Sequence, residues 1–296
     1  MNAEGSKGRA GASGVALVVV SAVAYGTVPI IATLAFRTGV PLTVFLSCRF
    51  TLAALLLWMA VPLTRGAYPR RERVGALLLM GAIGYAGQSA AFFAALQRMP
   101  APATALLLYT YPAIVTLGAA AFFRERIGWR AIGAIVIAFA GTSLVVHGQV
   151  GGLNPAGIAF ALLSATIYAG YVLFGSKVFD GPAQIASAAM VMSATAVSFA
   201  AFGIAGGLTL PSAGAPLFYV VLVAIIGTAI PVVAFLTGMP RVGASRASIL
   251  STLEPAVTVV LSGLILAQPL GPLQIAGAIC ILVSVFVLES GSILTL

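Results

Sequence analysis

A single acidic residue, Glu254, lies deep inside a long apolar stretch of this 296-residue chain. It stands about ten residues into the apolar run at 244–267. A charged side chain at the centre of a lipid bilayer costs on the order of 2.5–3.5 kcal/mol, so it should face a partner or a wet cavity. The carboxylate is therefore a candidate for binding an amino group or a proton. Structural support of a helix break at Pro255 is the alternative.

Aromatic and polar side chains in other apolar runs suit the same task. A tyrosine ring offers a face that attracts an ammonium group and a hydroxyl that forms hydrogen bonds. Tyrosine also favours the membrane interface, so anchoring is the alternative for part of the set. The candidate substrate-binding residues are Tyr25, Tyr85, Gln88, Phe92, Tyr109, Tyr111, Tyr168 and Glu254.

Arg49 is the only basic residue in the middle of an apolar run. Three roles are open for it. It could form a buried ion pair with Glu254, cap backbone carbonyls of a neighbouring helix, or attract a carboxylate. The first of these makes Arg49 and Glu254 a candidate ion pair.

The composition fixes the kind of element that must carry these residues. The chain is 61% apolar and only 7% charged, with a mean hydropathy of +1.13. Soluble domains carry about 25% charged residues, and disordered chains are poor in apolar ones, so both classes are excluded. Cys48 and Cys280 form no C-x-x-C spacing, and the single histidine lacks ligand neighbours, so we expect no metal and no cofactor.

Ten apolar runs are each long enough to cross a bilayer, which takes about 20 residues of helix. A backbone in lipid must satisfy its own hydrogen bonds, and continuous runs such as Val257–Leu266 lack the alternation of a β-barrel strand. The sequence predicts an all-α integral membrane protein. The runs lie at about 14–36, 41–62, 74–97, 102–123, 128–147, 155–178, 182–206, 214–238, 244–267 and 271–290.

Basic residues are concentrated on one side of this arrangement, as the positive-inside rule requires of cytoplasmic loops. Only Arg37 and Arg98 fall on the opposite side. We predict a multi-pass protein of the bacterial inner membrane with both termini in the cytoplasm, and the basic charge then needs no nucleic-acid partner. The residues on the predicted cytoplasmic side are Lys7, Arg9, Arg65, Arg70, Arg71, Arg73, Arg124, Arg126, Arg130, Lys177, Arg241 and Arg246.

The chain matches itself when shifted by 143 residues. Tyr25 then falls on Tyr168, Arg98 on Arg241 and Pro112 on Pro255. We predict an N-terminal tail (1–13), a first five-helix repeat (14–147) and a second repeat (155–290). Because five is odd, the second repeat inserts upside down, an architecture typical of transporters that work by alternating access. Proline can kink a helix, so the equivalent Pro112 and Pro255 are candidate hinges, with fixed kinks as the alternative.

Short motifs at equivalent places in the two repeats resemble a known family. The first repeat has Tyr111-Pro112-Ala113 and Phe123-Arg124-Glu125-Arg126 followed by Gly128, and the second has Leu253-Glu254-Pro255-Ala256 and Gly271. These motifs resemble the EamA family of the drug/metabolite transporter superfamily over the whole chain. Gln268 stands where the second repeat of the family often has a glutamate.

The resemblance implies ten helices in two inverted repeats around a central cavity lined by helices 1, 3, 4, 6, 8 and 9. It implies export of small neutral or zwitterionic metabolites, most similar to amino-acid exporters including the aromatic-amino-acid branch. The alternative in this superfamily is a sugar-phosphate or nucleotide-sugar antiporter, which should hold phosphate with several buried Lys or Arg residues. An integral-membrane enzyme is a third alternative, but the sequence has no H-E-x-x-H or G-x-S-x-G motif. We expect a functional monomer in contact with lipid.

Overall fold

The computed structural model describes residues 3–63, 67–123, 128–148, 153–179, 183–205, 213–243, 247 and 250–291. Several charged residues of the predicted cytoplasmic loops lie outside the described residues, namely Arg65, Arg124, Glu125, Arg126 and Arg246.

Ten apolar helices make up the described chain, and no strand occurs within these ranges. Eight of them are long and apolar enough to cross a membrane, and the last two are shorter. The predicted all-α fold is thus confirmed. The first helix begins at Ala3, inside the segment predicted as a tail. The helices are α1 (Ala3–Gly26 and Val28–Arg37), α2 (Leu42–Leu63), α3 (Arg71–Leu96), α4 (Ala101–Leu108 and Tyr111–Phe123), α5 (Trp129–His147), α6 (Pro155–Val178), α7 (Gln184–Ala205), α8 (Ala215–Val242), α9 (Leu253–Leu266) and α10 (Pro272–Gly291).

Each helix of the first repeat packs most extensively against a helix of the second. The pairs are α1 with α8, α2 with α7, α3 with α6, α4 with α6, and α5 with α10, while α9 packs most extensively against α1. Exchanging every helix for its repeat mate, five helices along, converts the α1–α8 pair into α6–α3 and the α4–α6 pair into α9–α1, and it leaves the α2–α7 and α5–α10 pairs unchanged. The packing therefore has the two-fold symmetry of inverted repeats.

The helices run alternately between two ends of the bundle. We call the end where α1 begins proximal and the end where it stops, at Arg37, distal. At the proximal end the Arg73 guanidinium donates to the carbonyl of Val178, which joins α3 to α6 (3.0 Å). At the distal end Arg37 donates to the carbonyl of Leu266 (3.4 Å), which joins α1 to α9.

Four helices are irregular at symmetric places. The first half of α4 ends at Leu108 and its second half begins at Tyr111, while in α9 a turn at Thr252 precedes Leu253. Helices α3 and α8 contain single π-helical turns, at Met80–Tyr85 and Ile225–Ala229. Such turns leave the regular backbone ladder and occur frequently at functional sites. The break in α1 at Thr27 has no counterpart in α6, which is continuous.

The distal half of the bundle is densely packed. Residues 101–107 of α4 are all buried, whereas none of residues 114–122 is. The main apolar cluster joins the distal halves of α1 and α3 to α2, α7 and α8. The backbone N–H of Ala101 also donates to Oε1 of Gln268 (3.0 Å), so the start of α4 is held by the loop that follows α9. The distal halves of these helices are thus packed tightly against one another.

Candidate substrate-binding site

The breaks in α4 and α9 meet at a partly buried hydrogen bond. Tyr109, at the end of the first half of α4, donates its hydroxyl proton to Oε2 of Glu254 (2.7 Å). The same hydroxyl lies 3.2 Å from the carbonyl oxygen of Ser251. The single phenolic proton points to the nearer of the two acceptors, the carboxyl group of Glu254. Glu254 is therefore fixed at the crossing of the two helix breaks.

Glu254 is also held close to α1. The hydroxyl of Thr258 donates to the carbonyl of Gly26 (2.8 Å). A Cβ atom on Gly26 would lie only 2.7 Å from the carbonyl oxygen of Glu254, so α1 crosses α9 with backbone nearly in contact. This close crossing brings Tyr25 beside the carboxylate, and the two interact electrostatically.

Tyrosine rings from three further helices surround this position. Tyr109 and Tyr111 have ring centroids 6.0 Å apart, Tyr111 and Tyr168 4.7 Å, and Tyr168 and Tyr171 6.0 Å. Tyr85 of α3 completes the row at 5.5 Å from Tyr171. Electrostatic interactions with Glu254 reach Tyr85, Tyr109 and Tyr168. We call the six residues Tyr25, Tyr85, Tyr109, Tyr111, Tyr168 and Tyr171 the tyrosine cage.

Four hydroxyls of the cage are unused by the protein. The hydroxyls of Tyr25, Tyr85, Tyr168 and Tyr171 have no hydrogen-bond partner among the described residues. Water can reach each of these four oxygens. The rings nevertheless lie deep in the bundle and contact one another. Free hydroxyls at that depth mark the wall of an internal space. The cage and Glu254 therefore form a site that is apolar on its faces and polar at a few points, as ligand sites usually are.

Arg49 takes the second of its three predicted roles. It is only 4% exposed, and it donates from Nε to the hydroxyl of Thr228 (2.9 Å) and from Nη2 to the carbonyl of Gly227 (3.3 Å). Gly227 lies in the π-helical turn of α8, and the residue four places on is Pro231, which has no N–H to offer. Arg49 supplies a donor to that carbonyl.

The predicted ion pair between Arg49 and Glu254 is not formed in this structure. Instead the guanidinium lies between two rings, 5.0 Å from the centroid of Phe50 and 5.1 Å from that of Phe93. Glu254 accepts from Tyr109. Each charged group thus has its own neutral partners, in a low-dielectric setting where such partners are required.

Gln88 and Phe92, also predicted to bind substrate, serve helix packing here. The amide of Gln88 donates to the hydroxyl of Ser164 (3.1 Å), which in turn donates to the carbonyl of Gln88 (3.0 Å). Phe92 packs edge-on against Phe93 within the main apolar cluster. These contacts join α3 to its neighbours, and the structure does not bring the two side chains into the tyrosine cage.

The predicted hinge prolines lie at the symmetric breaks. Pro112 is in the first turn of the second half of α4, and Pro255 is in the first turn of α9. Proline is well tolerated there because the N–H groups of a first turn have no partner within the helix. The breaks themselves, at 109–110 and 252, are located a few residues before the prolines.

Four functional or supporting residues were missing from the predicted set. Tyr171 closes the cage, Thr228 accepts from Arg49, the carbonyl oxygen of Ser251 lies 3.2 Å from the Tyr109 hydroxyl, and Gln268 caps α4. Two of them gave a signal in the sequence. Tyr171 lies nearly one helical turn beyond Tyr168, and Gln268 stands where the second repeat of the resembled family often has a glutamate. A separate cleft of about 430 Å³ opens at the distal end, where it is lined by Thr33, Phe36, Arg37, Leu96 and Gln97.

A carboxylate surrounded by tyrosine faces can hold an organic ammonium group. The carboxylate supplies the countercharge, and the ring faces attract the cation where water is scarce. Among the described residues, no three His, Cys, Asp or Glu side chains come together as a metal site would need.

Comparison with protein families identifies the fold that carries this site. The model of the EamA-like transporter family matches twice, over residues 12–147 and 155–290. The chain belongs to the EamA-like transporter family. The family inferred from the paired proline motifs is thereby confirmed, and with it the two-repeat architecture. The aromatic-amino-acid exporter branch within the superfamily stays a prediction.

Two relatives of this EamA-like transporter are themselves named transporters. It is 28% identical over 286 residues to the "Uncharacterized transporter YcbK" of Bacillus subtilis (strain 168), covering 93% of this chain and 92% of that protein. An "Uncharacterized transporter" of Archaeoglobus fulgidus is 28% identical over 184 residues, 60% of this chain and 63% of that one. A solved crystal structure 20% identical in sequence superimposes with a TM-score of 0.67 over 93% of this chain and 96% of the other, which shows a shared fold. The protein is a multi-pass membrane transporter.

Proposed function

We propose that this protein is a secondary transporter that exports small metabolites bearing an amino group, amino acids including aromatic ones among them, from the cytoplasm. The observation that carries the proposal is Glu254, an acidic residue enclosed by the tyrosine cage where the breaks of α4 and α9 meet. Two features support this reading. The carboxylate matches an amino group, and the rings match an apolar or aromatic body.

The repeat symmetry supports alternating access as the mechanism. The site lies between the two repeats, and the symmetric breaks before Pro112 and Pro255 are places where backbone dihedrals can change. Rocking one repeat against the other about these breaks would open one end as the other closes. The dense distal packing corresponds to one of the two states. The positive-inside bias of the sequence supports the proximal end, with both termini, as the cytoplasmic face of the inner membrane.

The sugar-phosphate alternative finds less support in this site. Phosphate recognition favours bidentate contacts from Arg. Arg49 is the one Arg in the middle of a described spanning helix, and it already donates to α8. We therefore place organic amines ahead of phosphates as substrates, with a monomer as the functional unit.

Uptake of radiolabelled solutes into proteoliposomes containing the purified protein tests the proposal. A panel of aromatic, aliphatic and charged amino acids, nucleosides and a sugar phosphate is compared with liposomes lacking protein. We expect saturable flux of amino compounds, at least tenfold reduced in Glu254→Gln. Flux of the sugar phosphate alone would contradict the proposal. The same variant, measured across pH, separates the coupling modes, because an unchanged pH profile excludes proton coupling through Glu254.

A further inference from the structure

We propose that the tyrosine cage selects solutes in which the amino group is the only charge, such as aryl-alkyl monoamines and amino alcohols, over the corresponding free amino acids. The inference rests on the proposed function and narrows its substrate class. It depends on what the site offers to each end of a zwitterion.

The ammonium end has a complete set of partners. Glu254 provides a carboxyl group that can take the countercharge of an ammonium ion, and its only hydrogen-bond donor among the described residues is Tyr109, so its second oxygen is left for a ligand. The faces and free hydroxyls of Tyr25, Tyr85 and Tyr168 lie around it. Ammonium groups are attracted to such rings most strongly when water is displaced.

A ligand carboxylate has no cationic partner there. Arg49 holds the π-helical turn of α8 with both of its hydrogen bonds and is sandwiched by Phe50 and Phe93. Turning it toward a ligand would leave the carbonyl of Gly227 without that donor. Apart from Lys7 and Arg9 near the start of α1, the remaining cations of the described helices lie in first or last turns or in the adjoining loops, and these are Arg37, Arg70, Arg71, Arg73, Arg98, Arg130, Lys177 and Arg241.

The half-helix ends at the breaks do not replace a cation. A helix N-terminus can bind an anion through free N–H groups and the helix dipole. In α9 the first turn carries Glu254, and an ionised side chain there repels a second carboxylate. In α4 the N–H groups of Thr110, Ala113 and Ile114 all donate to backbone carbonyls, and Pro112 has none. A zwitterion would therefore place its carboxylate near Glu254 without compensation, whereas an amine would not.

A series of phenyl compounds that differ only in charge tests the inference on the full-length protein. Radiolabelled phenethylamine is bound to the purified protein, and phenylalaninol, phenylalanine and 3-phenylpropionate compete with it. Phenylalaninol replaces the carboxylate of phenylalanine with a neutral hydroxymethyl group at almost the same size. We expect phenylalaninol to compete at concentrations at least tenfold below phenylalanine, and 3-phenylpropionate not to compete.

Variants of the cage provide the internal control. Tyr168→Phe keeps the ring and should leave phenethylamine affinity within about threefold, whereas Tyr168→Leu removes the ring face and should weaken it by about fivefold or more, in line with an interaction of roughly 1 kcal/mol. Glu254→Gln should weaken it at least tenfold. Phenylalanine binding as tightly as phenylalaninol overturns the inference and leaves the proposed function standing. Binding of neither compound overturns both.

Discussion

Replacing Arg49 by Met distinguishes a structural arginine from one that receives substrate. Position 49 corresponds in the second repeat to Met192, which is buried at 4% exposure, so Met fits the equivalent site of the same fold. In the structure the guanidinium serves only the protein, through two hydrogen bonds to α8 and two ring contacts. The substitution should therefore affect stability and leave amine binding intact.

The size of the effect follows from the groups that lose a partner. The carbonyl of Gly227 loses its side-chain donor, and a buried polar group left unsatisfied costs about 1–3 kcal/mol. Each lost ring contact adds roughly 0.5–1 kcal/mol. Removing a buried charge whose partners are neutral offsets part of this loss of unfolding free energy, because burying a charge is itself costly. The expected net loss of unfolding free energy is about 1–3 kcal/mol.

Arg49→Lys sharpens the test because it keeps the charge. An ammonium cannot reproduce the planar fork that reaches Gly227 and Thr228 together, nor stack as well between two rings. A charge with fewer partners then stays buried, so Lys should destabilise as much as Met or more. If Arg49 received a substrate carboxylate, Lys would instead preserve function better than Met.

Unfolding in mixed detergent–SDS micelles measures the stability of each variant, and phenethylamine binding is measured on the same preparations. Arg130→Met is the matched control, since Arg130 is exposed at the start of α5 and its loss should change stability by no more than about 0.5 kcal/mol. Wild-type stability in Arg49→Met, together with lost binding, would refute the structural role.

Three further substitutions test the packing and the polar contacts, each by the same unfolding measurement. Gly277→Ala should destabilise the protein, because a Cβ atom there would lie 2.6 Å from a backbone oxygen of α5. Gly133→Ala is the control and should be tolerated, because a Cβ atom there would have nothing within 4 Å. Equal stability of the two variants would contradict the close crossing of α5 and α10. Tyr109→Phe should cost about 0.5–3 kcal/mol by removing a hydrogen bond to the Glu254 carboxyl group, and Tyr168→Phe, whose hydroxyl is free, should cost almost nothing. Gln268→Leu should cost about 0.5–2 kcal/mol of unfolding free energy because α4 loses its cap. Gln268→Glu should keep the stability of the protein, because it retains the acceptor and adds a favourable charge at a helix N-terminus. A stable Leu variant beside an unstable Glu variant would argue against that capping contact.

Much of the fold followed from the sequence because two strong constraints act on it. Lipid forces each apolar run into a helix, and the repeat at a fixed offset pairs Pro112 with Pro255 and Tyr25 with Tyr168. Inverted symmetry then follows from the odd number of helices in each repeat. The π-helical turns in α3 and α8 were not predicted, since Gly84 and Gly227 at equivalent positions are compatible with an ordinary helix.

The site was predictable in part. Glu254 and the tyrosines stood out because polar groups in lipid need a reason to be there. Which way a side chain faces depends on helix rotation, which apolar helices do not reveal because they lack a polar stripe. Gln88 and Phe92 therefore looked like cavity residues, whereas in this structure Gln88 is hydrogen-bonded to Ser164 of α6 and Phe92 lies in the main apolar cluster. The partners of Arg49 were equally hidden, because they are the Gly227 carbonyl and the Thr228 hydroxyl in a distant part of the chain.

A structure of the protein with bound phenethylamine tests the central claim most directly, namely that Glu254 in the tyrosine cage is the substrate site. The account predicts the ammonium nitrogen within hydrogen-bond distance of the Glu254 carboxylate, the phenyl ring against Tyr111 or Tyr168, and Arg49 unmoved on α8. Density for the amine in the distal cleft lined by Thr33 and Arg37, with the cage empty, would contradict it.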